Sequence, residues 1–245
     1  MAKAVSDLLR RVLMVPPKYF SVEYTINPWM GGKVDRALAH KQWDQLKSAI
    51  EAEGVQVLTL EQEPNLPDMV FVCNSGLVFE NKGEQHHYLK WFQANGFEVV
   101  GADYAEFFEG GGDACFSDYK TLWAGFGARS SRKRIRSLGK FEVVKCELTS
   151  DRFYHLDTCF APVGNHAATQ EEIKRRLPAA IAVSDQEAEA SSATRFNVRK
   201  SVIVPPGVSD KTKDALEKLG YKTVEVDMSE FMKSGGAMQC LVLKL

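Results

Sequence analysis

The C-terminal stretch SGGAMQCLVLKL, residues 234–245, places Cys240 behind a glycine pair, Gly235 and Gly236. Glycine inside an apolar strand adds no side-chain packing and costs backbone entropy. The pair signals one of two things. Either the chain bends there so that another group can approach the cysteine, or a loop turns into an edge strand with Cys240 as a small buried hydrophobe. A thiol nucleophile needs thiolate character and a proton shuttle. His155, in RFYHLDTCF, is the candidate shuttle, and Asp157 follows two residues on. On a strand that spacing turns both side chains to one face. A histidine amid apolar residues is more often a satisfied core residue, but a His and an Asp sharing a face are less easily dismissed. Glu109 and Asp113 flank three glycines in FFEGGGDACF. Glu109 follows two phenylalanines, and a carboxylate in apolar surroundings either gains a raised pKa or demands a cationic partner.

Further polar residues interrupt apolar runs. Asn27 precedes a proline in YTINPWM, a pairing that is often only a turn. PDMVFVCNSG supplies Asp68, Phe71 and Asn74, and the plain alternative for Asn74 is a turn cap. Arg129 lies just past the run LWAGF, where a surface arginine is the simpler reading. Several acids facing one cavity repel one another and imply a cationic ligand. A guanidinium is a planar cation with five donors, and it suits carboxylates and amides arranged in a plane. Arg129 would then hold the carboxylate of an amino-acid substrate.

Residues this far apart in sequence meet only if the fold gathers them. Five helix-then-strand units can be traced. Their helical patterns stop at Gly54, Gly96, Gly139, Pro178 and Gly220, with spacings of 42, 43, 39 and 42 residues. Glycine takes the left-handed position beyond a helix end without strain, and a fixed period marks a repeated supersecondary unit. In the first helix Leu38, Trp43, Leu46 and Ile50 form an apolar stripe. Short apolar runs (DMVFV, GLVF, ACF, LWAGF, SVIV) lie between the units and are expected as strands. The expected fold is α/β: a closed, roughly five-fold ring with helices outside, short strands inside, and a ligand site at the channel mouth. EGGGD precedes a strand rather than opening a helix, which argues against a dinucleotide fingerprint.

Composition narrows the classes. A net charge of −1 gives no electrostatic case for nucleic acid or an anionic membrane surface. No apolar run reaches membrane-spanning length, and charged residues break the N-terminal stretch that a signal peptide would need. Five scattered cysteines make neither a disulfide framework nor a zinc-ligand pattern, so free thiols in a cytoplasmic compartment are expected.

Six stretches, in order, carry a family resemblance: INPWM, PDMVFVCNSGLVF, EGGGDACF, LWAGFGARS, FYHLDTCFAP and SGGAMQCLVLKL. From about Val12 to the C-terminus the chain resembles the guanidine-modifying pentein superfamily. That superfamily comprises arginine deiminases, dimethylarginine dimethylaminohydrolases, amidinotransferases and arginine dihydrolases. The resemblance implies a five-bladed α/β propeller formed by 1–245 as a single domain. It implies Cys240 as nucleophile, His155 as general acid/base and Glu109 as its carboxylate partner. Asn27, Asp68, Phe71, Asn74, Asp113, Arg129 and Asp157 are implied around the substrate. Asp157 matches the second guanidinium-binding acid of deiminases and amidinotransferases, which methylarginine hydrolases typically lack. Asn27 with Asn74 matches the arginine dihydrolases, which release ornithine, ammonia and carbon dioxide. The expected partner is a small guanidinium compound, with no cofactor, metal, nucleic acid or membrane; a homo-oligomer is left open. Amidino transfer, dimethylarginine hydrolysis and a non-catalytic guanidine-binding protein are the alternatives. The chain departs from the family in a short segment between Phe79 and Gly83, where relatives carry an arginine-containing lid. It departs again in an abbreviated stretch between Val163 and Thr169, and at Thr194, where an asparagine is usual.

Overall fold

The computed structural model describes residues 9–77, 84–99, 108–117, 120–135, 142–150, 152–160 and 195–245. One arrangement of strands occurs three times. Strands β1 (Arg11–Met14), β4 (Thr121–Phe126) and β7 (Ser201–Val204) are each the centre of a three-stranded sheet. Each central strand has a parallel neighbour later in the chain: β2 (Gln56–Thr59), β5 (Glu142–Glu147) and β8 (Lys222–Glu225) respectively. Each also has an antiparallel neighbour: β9 (Leu243–Lys244), β3 (Ala114–Phe116) and β6 (Phe196–Val198). The registers Thr121↔Glu142 and Ser201↔Lys222 share an offset of 21 residues, so two units are built to one length. In the first unit the antiparallel strand comes from the far end of the chain, which joins the C-terminal segment to the N-terminal strand.

Parallel strands need a crossover, and each carries a helix: α1 (Arg36–Ala52), α4 (Arg132–Ile135) and the helix Asp210–Lys218. Asp35 caps α1 by accepting from the Ala37 and Leu38 N–H groups, and Ser209 caps the last of the three by accepting from Thr212. The buried face of α1 is Ala39, Gln42, Trp43, Leu46 and Ile50, so the expected stripe holds except that Ala39 rather than Leu38 turns fully inward. Helix stops at Gly54, Gly96 and Gly220 have φ of 73°, 79° and 83°, the left-handed geometry expected of them. The stops at Gly139 and Pro178 lie outside the described residues. So do the short segment near 79–83, the stretch 163–169 and Thr194.

Three sequence expectations are corrected. DMVFV is not a strand, and neither is the described part of GLVF: Pro67–Val70 and Val72–Leu77 form 3-10 turns, with Val78 and Phe79 outside the described residues. EGGGD does contain one helical turn, α3 (Gly110–Asp113), before β3. His155 and Asp157 do not lie on a strand; Leu156–Thr158 is a 3-10 turn with His155 at its N-cap. The physical reason is local: the Thr158 hydroxyl and N–H both donate to the His155 carbonyl, at 2.6 and 3.2 Å, which closes a turn where alternation alone reads as extended. These turns are what deliver polar side chains inward.

A polar tether positions the C-terminal segment. Gln42, buried on α1, donates to Asp227 and Ser229 at 2.8 Å and accepts from the Glu230 N–H at 3.0 Å. Glu230 in turn accepts from the Asp35 N–H at 2.7 Å and pairs with Lys233. Phe20 stacks on Phe231 at 5.0 Å within the core shared by β1, α1 and residues 231–242. Among the described residues no helix is long and apolar enough to cross a membrane.

Candidate active site

Glu109 begins the site. Its N–H donates to Ser130 Oγ at 2.9 Å, which ties the start of α3 to the loop after β4. Its carboxylate lies 2.5 Å from His155 Nε2 through one oxygen and 3.5 Å from Arg129 Nη1 through the other. Arg129 also donates to the Ile26 carbonyl at 3.3 Å and sits 5.2 Å over the Tyr154 ring. Burial pulls the His155 pKa down, but the Glu109 hydrogen bond and the charges of Asp113, Glu109 and Cys240 outweigh it. The imidazolium therefore persists above the usual 6.5. The sequence expectation set Arg129 against a substrate carboxylate; its guanidinium here is engaged by Glu109, Ile26 and Tyr154.

Asp113 stands behind this group. It is fully buried, accepts from the Leu156 N–H at 2.9 Å and from the Ser130 hydroxyl at 2.5 Å. Both carboxylate oxygens are thus committed to the two loops that carry His155 and Arg129. Burial raises its pKa. Gly112 shows why the motif needs glycine: a Cβ there would lie 2.8 Å from Asn74 Oδ1 and 2.9 Å from His155 Nδ1. The backbone passes between those two side chains.

Cys240 lies on a turn just before β9, 5% exposed, so the expected C-terminal strand is confined to two residues. Its thiol points to Asp157 Oδ2 at 3.7 Å. Cys73 adjoins it: the Cys73 N–H donates to the Cys240 carbonyl at 3.1 Å. The two sulfurs and an Asp157 oxygen lie within 4.8 Å of one another, and all three residues are buried. The Cys73 S–H also lies 3.1 Å from Asn74 Oδ1, which accepts the Gly112 N–H at 3.2 Å as well. The Cys73 hydrogen bond, then the Ala237 backbone, the charge of His155 and the Asp157 hydrogen bond bring the Cys240 thiol down to about 7, against its burial. Burial, with the nearby Cys240 charge, pushes Asp157 well above the ordinary carboxylate range. Asp157 Oδ1 is buried without a hydrogen-bond partner among the described residues. Two thiols and a carboxylate at this spacing are also donors that a borderline-soft divalent metal accepts.

The glycine pair answers to two neighbours. Gly235 has φ +84°, and a Cβ on it would meet the Asn27 amide at 2.7 Å; a Cβ on Gly236 would lie 2.4 Å from the Phe71 ring. Asn27 is buried and accepts from the Trp29 N–H at 3.0 Å, an Asx turn at the Asn-Pro site. Half-buried Phe71 packs edge-on against Phe20. Asp68 accepts from the Tyr24 hydroxyl and, at 3.4 Å, from Ser234.

The fold thus links Glu109, His155, Arg129 and Asp113 in one cluster, and Cys240, Asp157 and Asn74 in an adjoining one through Cys73. Gly112 lies where the two meet. Asn27, Asp68 and Phe71 pack around the glycine turn. Sequence reasoning missed Cys73, Ser130 and Tyr154. Tyr154 donates to the Gly235 carbonyl at 2.5 Å and tilts against the His155 ring at 4.9 Å. Their only signal was adjacency to Asn74, Arg129 and His155.

No protein-family model matches the chain. An uncharacterised protein of Caenorhabditis elegans is 55% identical over 100% of this chain and 96% of its own length. That alignment runs to 269 positions against 245 residues, so the worm protein carries residues this chain lacks. The bifunctional arginine dihydrolase/ornithine cyclodeaminase ArgZ of Synechocystis is 35% identical over 96% of the chain, which spans only 37% of ArgZ. The solved N-terminal domain of ArgZ, bound to substrate, superposes with a TM-score of 0.87 at 34% identity, covering 96% of this chain and 97% of that domain. The dimethylarginine dimethylaminohydrolase of Mycobacterium tuberculosis is 31% identical over 96% of this chain and 86% of its own. The chain belongs to the guanidine-modifying superfamily, among the hydrolases of C–N bonds in linear amidines.

Proposed function

We propose that this chain hydrolyses arginine, or a close analogue, by covalent catalysis at Cys240, with ornithine, ammonia and carbon dioxide as products. The observation that carries the reading is Asp157: a buried carboxylate oxygen with no partner among the described residues, beside a sulfur whose pKa is lowered. A buried acid left this way is costly unless a cation completes it. A guanidinium supplies both the charge and the N–H donors, and it pulls Asp157 back toward ionisation and Cys240 toward thiolate.

Cys240 then attacks the guanidinium carbon. His155, held as the imidazolium by Glu109, gives its proton to the departing ammonia. The neutral imidazole next takes a proton from water, which adds to the carbon and expels the thiolate. The carbonyl oxygen of Asn74 is already occupied by Gly112 and Cys73, so its Nδ2 is the group it offers a ligand. A donor suits a neutral ureido oxygen, which favours a second hydrolysis over release of citrulline. The likeness to the ArgZ dihydrolase domain supports the same choice. Arg129 and Asp113 serve as positioning residues, holding Glu109 and the His155 turn. The three repeats of one unit support a five-bladed α/β propeller over 1–245.

Chromatography of the products from arginine decides the reaction. Ornithine with ammonia is expected, and Asn74→Asp shifts product toward citrulline or abolishes turnover. Citrulline alone from the wild type reassigns the chain as a deiminase. Dimethylamine from dimethylarginine, or transfer to an added amine with no hydrolysis, reassigns it to those branches. Arginine binding without any turnover leaves a guanidine-binding protein.

A further inference from the structure

The chain holds a second buried cysteine against Cys240, to which the hydrolytic reading gives no covalent role. Cys73 is 1% exposed and Cys240 5%. The hydrogen bond from the Cys73 N–H to the Cys240 carbonyl, 3.1 Å, sets the two backbones side by side. The sulfurs lie within 4.8 Å of one another, and a disulfide forms as they close to the roughly 2.0 Å of an S–S bond.

We infer that Cys73 is a resolving thiol for Cys240, and that hydroperoxides convert the pair into a reversible disulfide that silences the site. Cys240 sulfur donates an electron pair to a peroxide oxygen; the O–O bond breaks, hydroxide leaves, and Cys240 becomes a sulfenic acid. The Cys73 sulfur then attacks the Cys240 sulfur, the S–O bond breaks, and water leaves with the Cys73 proton. Two electrons pass from the thiols to one peroxide. A thiol reductant restores both cysteines by exchange through a mixed disulfide.

The chemistry is selective among the five free cysteines. Burial pushes Cys146 to about 11 and Cys159 to about 12, and Cys115 well above its ordinary value, so these thiols stay protonated and slow. Cys73 and Cys240 are the pair whose sulfurs adjoin. If the proposed reading holds and the site admits a guanidinium, it admits the smaller hydrogen peroxide. Without Cys73 the sulfenic acid has no adjacent thiol and proceeds to sulfinic acid, which thiols do not reduce.

The test uses the full chain and needs no substrate. Protein is exposed to hydrogen peroxide, free thiols are alkylated, and non-reduced peptides are mapped by mass. A Cys73–Cys240 linked peptide, lost on treatment with dithiothreitol, is expected. In Cys73→Ser the expected product is Cys240 sulfinic acid that dithiothreitol does not reverse. Sulfinic acid at Cys240 with Cys73 free in the wild type, Cys240 linked to any other cysteine, or Cys240 untouched by peroxide would each overturn the inference. The wild-type map stands by itself if the variant fails to fold. Failure of arginine hydrolysis leaves this readout intact.

Discussion

The two halves of the site are finished to different degrees. Around His155 the polar groups are joined to one another: Glu109 reaches His155 and Arg129, and Asp113 is bonded to Leu156 and Ser130. Around Cys240 a carboxylate oxygen has no hydrogen-bond partner among the described residues, beside two sulfurs. The first half is rigid before any ligand arrives, as preorganised proton transfer requires. The second is under-satisfied among the described residues, and in the proposed reading a bound cation completes it. Removing a group from the first half should therefore cost stability, while removing one from the second should cost function.

The sharpest break of this contrast is at the sulfur. Cys240→Ser should lower ammonia release from arginine by at least about 10⁴-fold, since serine is a far weaker nucleophile at neutral pH. Its melting temperature should stay close to wild type. Activity retained within tenfold would end the covalent reading.

The two aspartates test the halves against each other. Asp157→Asn should lower kcat/KM by about 10²–10³-fold. A raised carboxyl pKa contributes stability below the ordinary value near 3.8 that is lost as pH rises through the folded value. At neutral pH this variant should therefore melt at or above the wild-type temperature. Asp113→Ala should do the reverse in denaturant unfolding. It strands the buried Leu156 N–H and costs about 2–3 kcal/mol, with activity falling through misplacement of His155. Equal stability losses in both variants would erase the contrast.

Gly236→Ala is a milder probe of the rim. Its Cβ would sit 2.4 Å from the Phe71 ring, so about 1–3 kcal/mol of overpacking is expected, read as a lowered denaturation midpoint. The smallest effect concerns pH. Iodoacetamide should alkylate Cys240 with a midpoint near 7, and Cys73→Ala should move it up toward 9.0 as the leading hydrogen bond is lost. The sign in stability follows. A depressed thiol pKa contributes fully above 9.0 and loses that contribution as pH falls through about 7, a slope the variant should flatten.

The sequence by itself determined three of the five helix stops and the chemistry of its residues. Helix stops at Gly54, Gly96 and Gly220 were legible because glycine alone takes positive φ cheaply, and the stripe on α1 because a helix has a fixed period. Cys240, His155, Glu109 and Asp157 stood out by residue type and by resemblance, without any account of their distances. Only the tertiary structure decided that His155 and Asp157 belong to a 3-10 turn, since the Thr158 bonds that make it are not encoded in alternation. It alone showed that Asp113 ties two loops together, because its partners are 17 and 43 residues away. Cys73 was silent for the same reason: a buried thiol looks like any small hydrophobe until the chain, 167 residues later, lays a second sulfur against it.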